Sequence, residues 1–204
     1  MLVLCSNGLS SPELIKRIIP GTMGCKTAAL VVTADPVYKE QNYNVPRCRQ
    51  TLESLGLEIT IFDLDIQPAY DLLQFDVVEF IGGNPFYLLD AIRRQNAAAV
   101  LEKIASNKVL IGWSAAAFVF GPSLELVNLY SPEMNYLNLN DLAGLSLSRI
   151  EVLPHYSKFL TKFEHFEETC KTYETEHNIT VVRLNDGDAV LIDANNTEIC
   201  RSAQ

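Results

Sequence analysis

The chain has 204 residues, of which 48% are hydrophobic and 20% charged, with 10 glycines and 9 prolines. A chain of this length can bury a sizeable core as one compact domain, and the composition excludes disordered, fibrous and low-complexity proteins. The net charge of −9 argues against partners with phosphate backbones or anionic lipid, so we expect one globular domain over residues 1–204 that binds neither nucleic acid nor membrane.

Short apolar runs alternate with helical patterns along the first 120 residues. Continuous β-branched runs of this kind are typical of strands buried on both faces of a parallel sheet. Five such runs predict strands at residues 1–5, 27–33, 58–64, 76–81 and 108–113. Helical spacing and capping residues predict helices at residues 11–19, 45–55 and 85–105. The alternation predicts a doubly wound α/β fold, with a mostly parallel sheet and helices on both faces.

The pattern loosens after about residue 122. Residues 124–147 are apolar but rich in Asn, Ser and Pro, which predicts a short strand or two within an irregular stretch. Residues 158–176 predict a charged surface helix. The other predicted elements are strands joined by turns of Asn, Asp and Gly, at residues 149–153, 179–184, 189–193 and 198–201. We therefore expect a strand-rich C-terminal part.

The opening residues and the cysteines indicate the cellular compartment. The first apolar run has only a few residues and no basic flank, which is too short for a signal peptide or a membrane span. The five cysteines are widely spread, without a Cys-x-x-Cys pair or neighbouring histidines. These features predict a cytoplasmic protein with reduced thiols and no metal site.

The segment VLIGWSAAAFVFG at residues 109–121 places Ser114 between a predicted strand and a predicted helix. A sharp turn of this kind, the nucleophile elbow, projects a serine hydroxyl over the edge of the sheet and needs small neighbouring residues. The usual pattern has Gly two residues after the serine, where this chain has Ala116. Because serine is also a good helix N-cap, the segment alone leaves a purely structural role open.

A second strand-to-helix turn contains Gly82, Gly83, Asn84 and Pro85. Paired glycines let main-chain N–H groups approach a ligand closely. Ligands of open α/β sheets bind beyond the carboxyl ends of the strands, where we expect both this turn and Ser114 to lie. The alternative is a tight turn that needs glycine only for its dihedral angles. No Gly-Lys-Ser/Thr follows, which excludes a P-loop.

The candidate base for the serine is His155, because Pro154 ends the preceding predicted strand and places the imidazole at another strand end. His165 and His177 fall in or at the end of the charged helix, which favours surface positions. A catalytic histidine also needs an acid to orient it. Spacing leaves four candidates between the serine and the histidine, namely Glu125, Glu133, Asp141 and Glu151.

Four segments occur in a specific order: Leu-Val-Leu-Cys-Ser-Asn at 2–7, Phe-Ile-Gly-Gly-Asn-Pro-Phe-Tyr-Leu-Leu at 80–89, Ile-Gly-Trp-Ser-Ala at 111–115, and Leu-Pro-His-Tyr at 153–156. Together they make the chain resemble the peptidase E family of serine peptidases, which includes the α-aspartyl dipeptidases and the related cyanophycinases. The resemblance covers nearly the whole chain and implies a fold like that of the class I glutamine amidotransferases.

The resemblance also implies roles for individual residues. Ser114 corresponds to the nucleophile and His155 to the general base. Glu133 falls where the family places the Asp or Glu that orients the histidine. The main-chain N–H groups of Gly83 and Ala115 correspond to the two donors of the oxyanion hole.

Three departures from the family pattern bear on substrate and activity. Ile81 stands where the first of three glycines is usual, and Ala116 replaces the glycine after the elbow. The aspartyl dipeptidases use an Arg after the histidine to hold the substrate's carboxylate, but residues 158–171 contain none. Aspartyl specificity therefore does not follow from the resemblance. The substrate-binding candidates that remain are Asn84, Lys158 and Lys162.

We expect a serine peptidase that hydrolyses short peptides, in the manner of a dipeptidase, through a Ser-His-Glu triad and an acyl-enzyme. We expect no metal or organic cofactor and a monomer or homodimer. The alternative is a catalytically impaired binding or regulatory homologue, in which Ala116 has spoiled the elbow. A third hypothesis, an amidotransferase-like hydrolase, is weaker because those enzymes carry Cys at the elbow and this chain carries Ser114.

Overall fold

A computed structural model describes residues 1–194 and 196–203. Its strands, in chain order, are β1 (Leu2–Cys5), β2 (Thr27–Val31), β3 (Glu58–Phe62), β4 (Val77–Phe80), β5 (Val109–Trp113), β6 (Glu151–Leu153), β7 (Val181–Arg183), β8 (Ala189–Ile192) and β9 (Thr197–Cys200). Its α-helices are α1 (Pro12–Thr22), α2 (Val45–Ser54), α3 (Pro85–Arg94), α4 (Ala98–Asn107), α5 (Ala115–Phe120), α6 (Glu125–Tyr130), α7 (Tyr156–Lys162) and α8 (Phe166–His177). Short 3-10 helices occur at Lys39–Gln41, Ala69–Gln74 and Pro132–Met134.

The central sheet has seven strands in the order β3-β2-β4-β5-β1-β8-β9. Strands β1 to β5 run parallel, whereas β8 pairs antiparallel with β1 and β9 pairs antiparallel with β8. Strands β6 and β7 form a separate parallel pair. The predicted doubly wound, mostly parallel α/β fold is therefore confirmed.

Two apolar cores lie on opposite faces of this sheet. Alternate residues of a strand point to opposite faces, so Leu2 and Leu4 join one core while Val3 and Cys5 join the other. Helices α1 and α2 cover the second core, and α3, α4, α5, α6 and α8 contribute to the first. Within the part of the chain that is described, no helix is long and apolar enough to cross a membrane.

The structure corrects two of the predicted helices. Residues 85–105 form two helices, because Asn96 adopts a left-handed conformation with φ 50° between α3 and α4. Residues 158–176 likewise form α7 and α8, separated at His165 with φ 53°. Asparagine and histidine are among the side chains that enter this conformation most readily. Apolar spacing does not detect such single-residue breaks.

The structure also corrects the segment at residues 124–147. It contains helix α6 and the 3-10 helix Pro132–Met134 where a strand or two was predicted. The bridge between Ser123 and Ala143 is the isolated strand-like pairing found in this segment among the described residues. Leu126 and Val127 of α6 are buried, so tertiary packing stabilises a six-residue helix that is too short to be read from its own periodicity.

Candidate active site

Ser114 lies at a sharp turn between β5 and α5. Its φ of 53° and ψ of −111° fall outside the regions that non-glycine residues ordinarily occupy. The Ser114 N–H donates to the Cys5 carbonyl at 3.1 Å, which fixes the turn to the end of β1. A Cβ atom on Gly112, the last residue but one of β5, would lie 2.5 Å from the Phe120 ring, so a side chain there would require this buried ring to move. The local geometry is that of a nucleophile elbow.

The glycine turn after β4 packs directly against this elbow. A Cβ atom on Gly83 would lie 2.2 Å from the Ala34 carbonyl oxygen, and one on Gly82 would lie 2.6 Å from the Trp113 ring. A side chain at Gly83 would therefore overlap backbone atoms, and one at Gly82 would require the Trp113 ring to move. Among the described residues, no acceptor pairs with the Gly83 N–H. The Ala115 N–H begins α5, where helical N–H groups lack an acceptor in their own helix.

His155 begins α7 in a left-handed conformation with φ 57°. Its N–H donates to the Ser6 hydroxyl at 2.9 Å, and its Nδ1 lies 2.7 Å from Asp186 Oδ1. An imidazole whose Nδ1 carries the hydrogen shared with a carboxylate has Nε2 available to accept a proton. The contact with Asp186 therefore fixes both the orientation of the ring and its useful tautomer.

Asp186 is held in place by three neighbours. The Ser6 hydroxyl donates to its Oδ1 at 3.0 Å, and Lys158 forms an ion pair with its Oδ2. The hydrogen bond from His155, aided by those from Lys158 and Ser6, holds the pKa of Asp186 well below its usual range, against the opposing effect of partial burial. The carboxylate is thus ionised at neutral pH and able to stabilise a positive charge on His155.

Glu133 was predicted to lie beside His155, and the structure places Asp186 there instead. Glu133 is on the 3-10 helix Pro132–Met134, where its carboxylate accepts a hydrogen bond from Ser131. It makes no contact with His155 in the ranges that are described. The other three candidate acids are also paired elsewhere: Glu125 with His177, Asp141 with Arg93, and Glu151 with Tyr173.

Asp186 lies outside the interval between Ser114 and His155 from which the candidate acids come. It follows the histidine by 31 positions, in the turn between β7 and β8. The Asn-Asp-Gly-Asp sequence of that turn was the available signal, since it places two acids at the end of a strand. The antiparallel pairing of β8 with β1 then brings the turn to the edge of the sheet where the elbow lies.

The predicted substrate-binding residues have distinct environments. The Asn84 side-chain oxygen caps α3, and its amide nitrogen donates to the Met134 carbonyl at 2.7 Å. Lys158 lines the pocket described below but is paired with Asp186. Lys162 lies over the Phe163 ring at 4.8 Å. The side chains of Asn84 and Lys162 are therefore engaged in contacts within the fold.

A pocket of about 440 Å³ joins the elbow to the histidine. Ser114, His155, Asp186, Gly82 and Gly83 all line it. In the part of the chain that is described, no hydrogen bond joins the Ser114 hydroxyl to the imidazole, and such bonds are often long in enzymes without substrate. Three further lining residues had no predicted role: Asn7 ends the segment at residues 2–7, and Asn44 and Arg47 belong to none of the four segments.

Comparison with known proteins identifies the family. The model of peptidase family S51 matches residues 2–200. The chain belongs to peptidase family S51. It is a serine-type peptidase, as the resemblance to peptidase E implied.

Named relatives of this S51 peptidase come from several bacteria. An uncharacterized peptidase of Listeria monocytogenes is 31% identical over 172 residues, which are 82% of each chain. An uncharacterized peptidase of Pasteurella multocida is 26% identical over 89% of this chain and 87% of its own. Peptidase E of a Shewanella species is 30% identical over 68% of this chain and 59% of its own.

Solved structures support the fold of this S51 peptidase. A Listeria monocytogenes protein described provisionally as peptidase E has a TM-score of 0.77 at 24% identity, covering 99% of this chain and 98% of its own. A peptidase from an acI-B1 Actinobacterium has a TM-score of 0.71 at 18% identity, covering 99% and 87%. At these identities the likeness establishes the fold alone.

Proposed function

We propose that this chain hydrolyses short peptides with Ser114 as nucleophile, His155 as general base and Asp186 as the acid that orients the histidine. The observation that carries the proposal is the 2.7 Å contact between His155 Nδ1 and Asp186 Oδ1, in the same pocket as the strained Ser114. Serine, histidine and carboxylate in these positions are the three parts that activate a serine hydroxyl. The triad is therefore Ser-His-Asp rather than the expected Ser-His-Glu.

The reaction follows from the positions of these groups. Ser114 Oγ attacks the peptide carbonyl while its proton passes to His155 Nε2. The N–H groups of Gly83 and Ala115 donate to the oxyanion that develops on the carbonyl oxygen. The imidazolium, stabilised by Asp186, returns the proton to the leaving amine. Water then hydrolyses the ester on Ser114 by the same steps.

The size of the pocket supports short peptides as substrates. Its volume of about 440 Å³ lies towards the lower end of small-molecule sites, which span about 300–1,000 Å³. Such a volume accommodates a dipeptide, whereas an extended protein segment needs a long groove. We therefore propose dipeptidase-like activity.

The proposal is tested by the reactivity of Ser114. A fluorophosphonate probe should label the wild-type protein and leave Ser114→Ala unlabelled. In a screen of dipeptides, Ser114→Ala and His155→Ala should each lose several orders of magnitude in kcat. The double variant should be little worse than either single one, because the residues act as one unit. Labelling that persists in Ser114→Ala, or additive losses, would contradict the triad.

A further inference from the structure

Arg47 is a cation held beside the nucleophile by contacts that the proposed reaction does not use. It comes from the first turns of α2 and lines the same pocket as Ser114. Its Nη2 donates to the Asn7 carbonyl at 2.8 Å, and its guanidinium carbon lies 5.7 Å from the centroid of the Trp113 ring. The guanidinium and Ser114 therefore line one pocket, and the ring that the guanidinium contacts belongs to the residue before the nucleophile.

The guanidinium has spare hydrogen-bonding capacity. An arginine side chain carries five N–H donors. Within the described ranges, the Arg47 side chain makes one hydrogen bond, which it donates to the main-chain carbonyl of Asn7. No carboxylate there lies within ion-pair distance of Arg47. The other cation that lines the pocket, Lys158, is neutralised by Asp186. Arg47 is therefore the lining cation whose charge remains uncompensated.

The buried acid that bonds to Trp113 is a weak counterion for Arg47. Glu79 accepts a hydrogen bond from the Trp113 indole N–H at 3.1 Å and is buried. Burial raises its pKa to about 7, although the charge of Arg47 acts in the opposite direction. Near neutral pH, a substantial fraction of Glu79 is therefore uncharged. The positive charge of Arg47 remains available to an anionic ligand.

Two amide side chains, Asn7 and Asn44, line the pocket together with the guanidinium. The Asn44 side chain lines the pocket and does not cap α2. The Asn7 side-chain oxygen accepts hydrogen bonds from Ser10 and from the Gly187 N–H, so its amide N–H groups are the part left for a ligand. A guanidinium accompanied by amide donors suits a carboxylate, which accepts several hydrogen bonds and pairs with arginine in a fork geometry.

We propose that Arg47 binds a free carboxylate of the peptide substrate and so selects peptides that carry one within about one residue of the scissile bond. This inference rests on the proposed function. One residue of extended chain spans about 3.3–3.6 Å, so the C-terminal carboxylate of a dipeptide and the side chain of an acidic residue both present this chemistry. The experiment has an arm for each source.

The first measurement compares substrates on Arg47→Gln and on Arg49→Gln. Arg49 is on the same helix and does not line the pocket, so it controls for the lost charge. The substrates are alanyl-alanine, alanyl-alanine amide and aspartyl-alanine amide. In wild type and in Arg49→Gln, kcat/KM for either alanyl-alanine or aspartyl-alanine amide should exceed that for alanyl-alanine amide by about 10- to 100-fold. This is the range for a hydrogen bond to a charged group.

Arg47→Gln should remove that preference by raising KM for the carboxylate-bearing substrate, with kcat little changed. Loss of preference for alanyl-alanine assigns the C-terminal carboxylate, and loss for aspartyl-alanine amide assigns the side chain. Arg47→Lys keeps the charge without the fork and should retain part of the preference. It also serves as the second variant where Arg47→Gln does not fold. If Arg47→Gln and Arg47→Lys both keep the wild-type ratio of kcat/KM between the substrates, the inference is overturned.

A binding measurement separates this inference from the proposed function. Ser114→Ala cannot form an acyl-enzyme, so calorimetry on it reports ligand affinity alone. It should bind a carboxylate-bearing peptide about 10- to 100-fold more tightly than the uncharged amide, and the added Arg47→Gln change should abolish the difference. If this affinity difference is observed but wild type hydrolyses none of the peptides, the proposed function is rejected and the Arg47 site is retained. Equal or undetectable binding of all three peptides rejects the Arg47 site.

Discussion

The two sides of the pocket are built in different ways. On the serine side, the Ser114 elbow and the glycine turn with Gly83 follow β5 and β4, which are neighbouring parallel strands of the central sheet. On the histidine side, His155 follows β6 of the separate two-stranded sheet, and Asp186 lies in the turn between β7 and β8. The serine side depends on local turn geometry, whereas the histidine side depends on contacts between distant parts of the chain.

Ser6 joins the two sides. It follows β1, the strand that lies between β5 and β8 in the central sheet. Its hydroxyl accepts the His155 N–H at 2.9 Å and donates to Asp186 Oδ1 at 3.0 Å. This buried hydroxyl therefore links both members of the histidine side to the sheet that carries Ser114. The pairing of β8 with β1 and the hydrogen bond from the Gly187 N–H to Asn7 Oδ1 add to this link.

The largest expected effect is on the histidine side, from Asp186→Asn. An amide at this position can donate to Nδ1, which favours the tautomer whose Nε2 carries the hydrogen and cannot accept the serine proton. We expect kcat to fall by about 10³- to 10⁴-fold with the fold retained, measured on the best dipeptide substrate.

Two controls accompany this variant. Lys158→Gln removes the lysine partner of Asp186 and keeps the contacts with His155 and Ser6, so kcat should fall by less than about tenfold, as expected for an ion pair whose lysine is largely exposed. Glu133→Gln should leave kcat unchanged. A large loss in Glu133→Gln with a small one in Asp186→Asn would restore the original assignment of the acid.

The same contrast explains what the sequence could predict. The five parallel strands were predicted to within two residues at each end, because each is a continuous apolar run. Turn residues and strand ends mark Ser114 and His155 locally, so the sequence could predict that both would lie at one site, and both line the pocket. The contact between Asp186 and His155 could not be predicted, because it depends on the pairing of β8 with β1 and on the Ser6 hydroxyl, which join distant parts of the chain.

Each side of the pocket is associated with one buried carboxyl group. Glu79 bonds to Trp113 beside the elbow, and Glu151 on β6 accepts from the Tyr173 hydroxyl at 3.2 Å. Burial raises the pKa of each from its ordinary value of 4.5 to about 7. A group with a raised pKa in the folded state contributes full stability below pH 4.5 and loses it as the pH rises through about 7.

The free energy of unfolding of Glu79→Gln, taken relative to wild type at the same pH, should therefore be larger at pH 8 than at pH 4. The same should hold for Glu151→Gln. The expected gain is about 3 kcal/mol for each, from a shift between 4.5 and about 7. Denaturant unfolding of the three proteins at both pH values measures it. Equal differences at pH 4 and pH 8 would show that these groups keep ordinary pKa values. If the relative stability of only one variant changes between pH 4 and pH 8, only the carboxyl group replaced in that variant has a raised pKa.

The smallest expected effect is on the serine side, from Ala116→Gly, which restores the residue usual for the family at the elbow. Ala116 is in the first turn of α5 and is fully buried in the core, and Ser114 already has the strained elbow conformation with this methyl group present. If the Ala115 N–H is the proposed oxyanion donor, the elbow already presents it, and we therefore expect kcat to change by less than about tenfold. Stability should fall by about 1 kcal/mol, since glycine is a poorer helix former than alanine. A rise in kcat of about 10²- to 10³-fold, the effect of one regained oxyanion donor, would instead show that Ala116 impairs the elbow and would favour the binding or regulatory homologue.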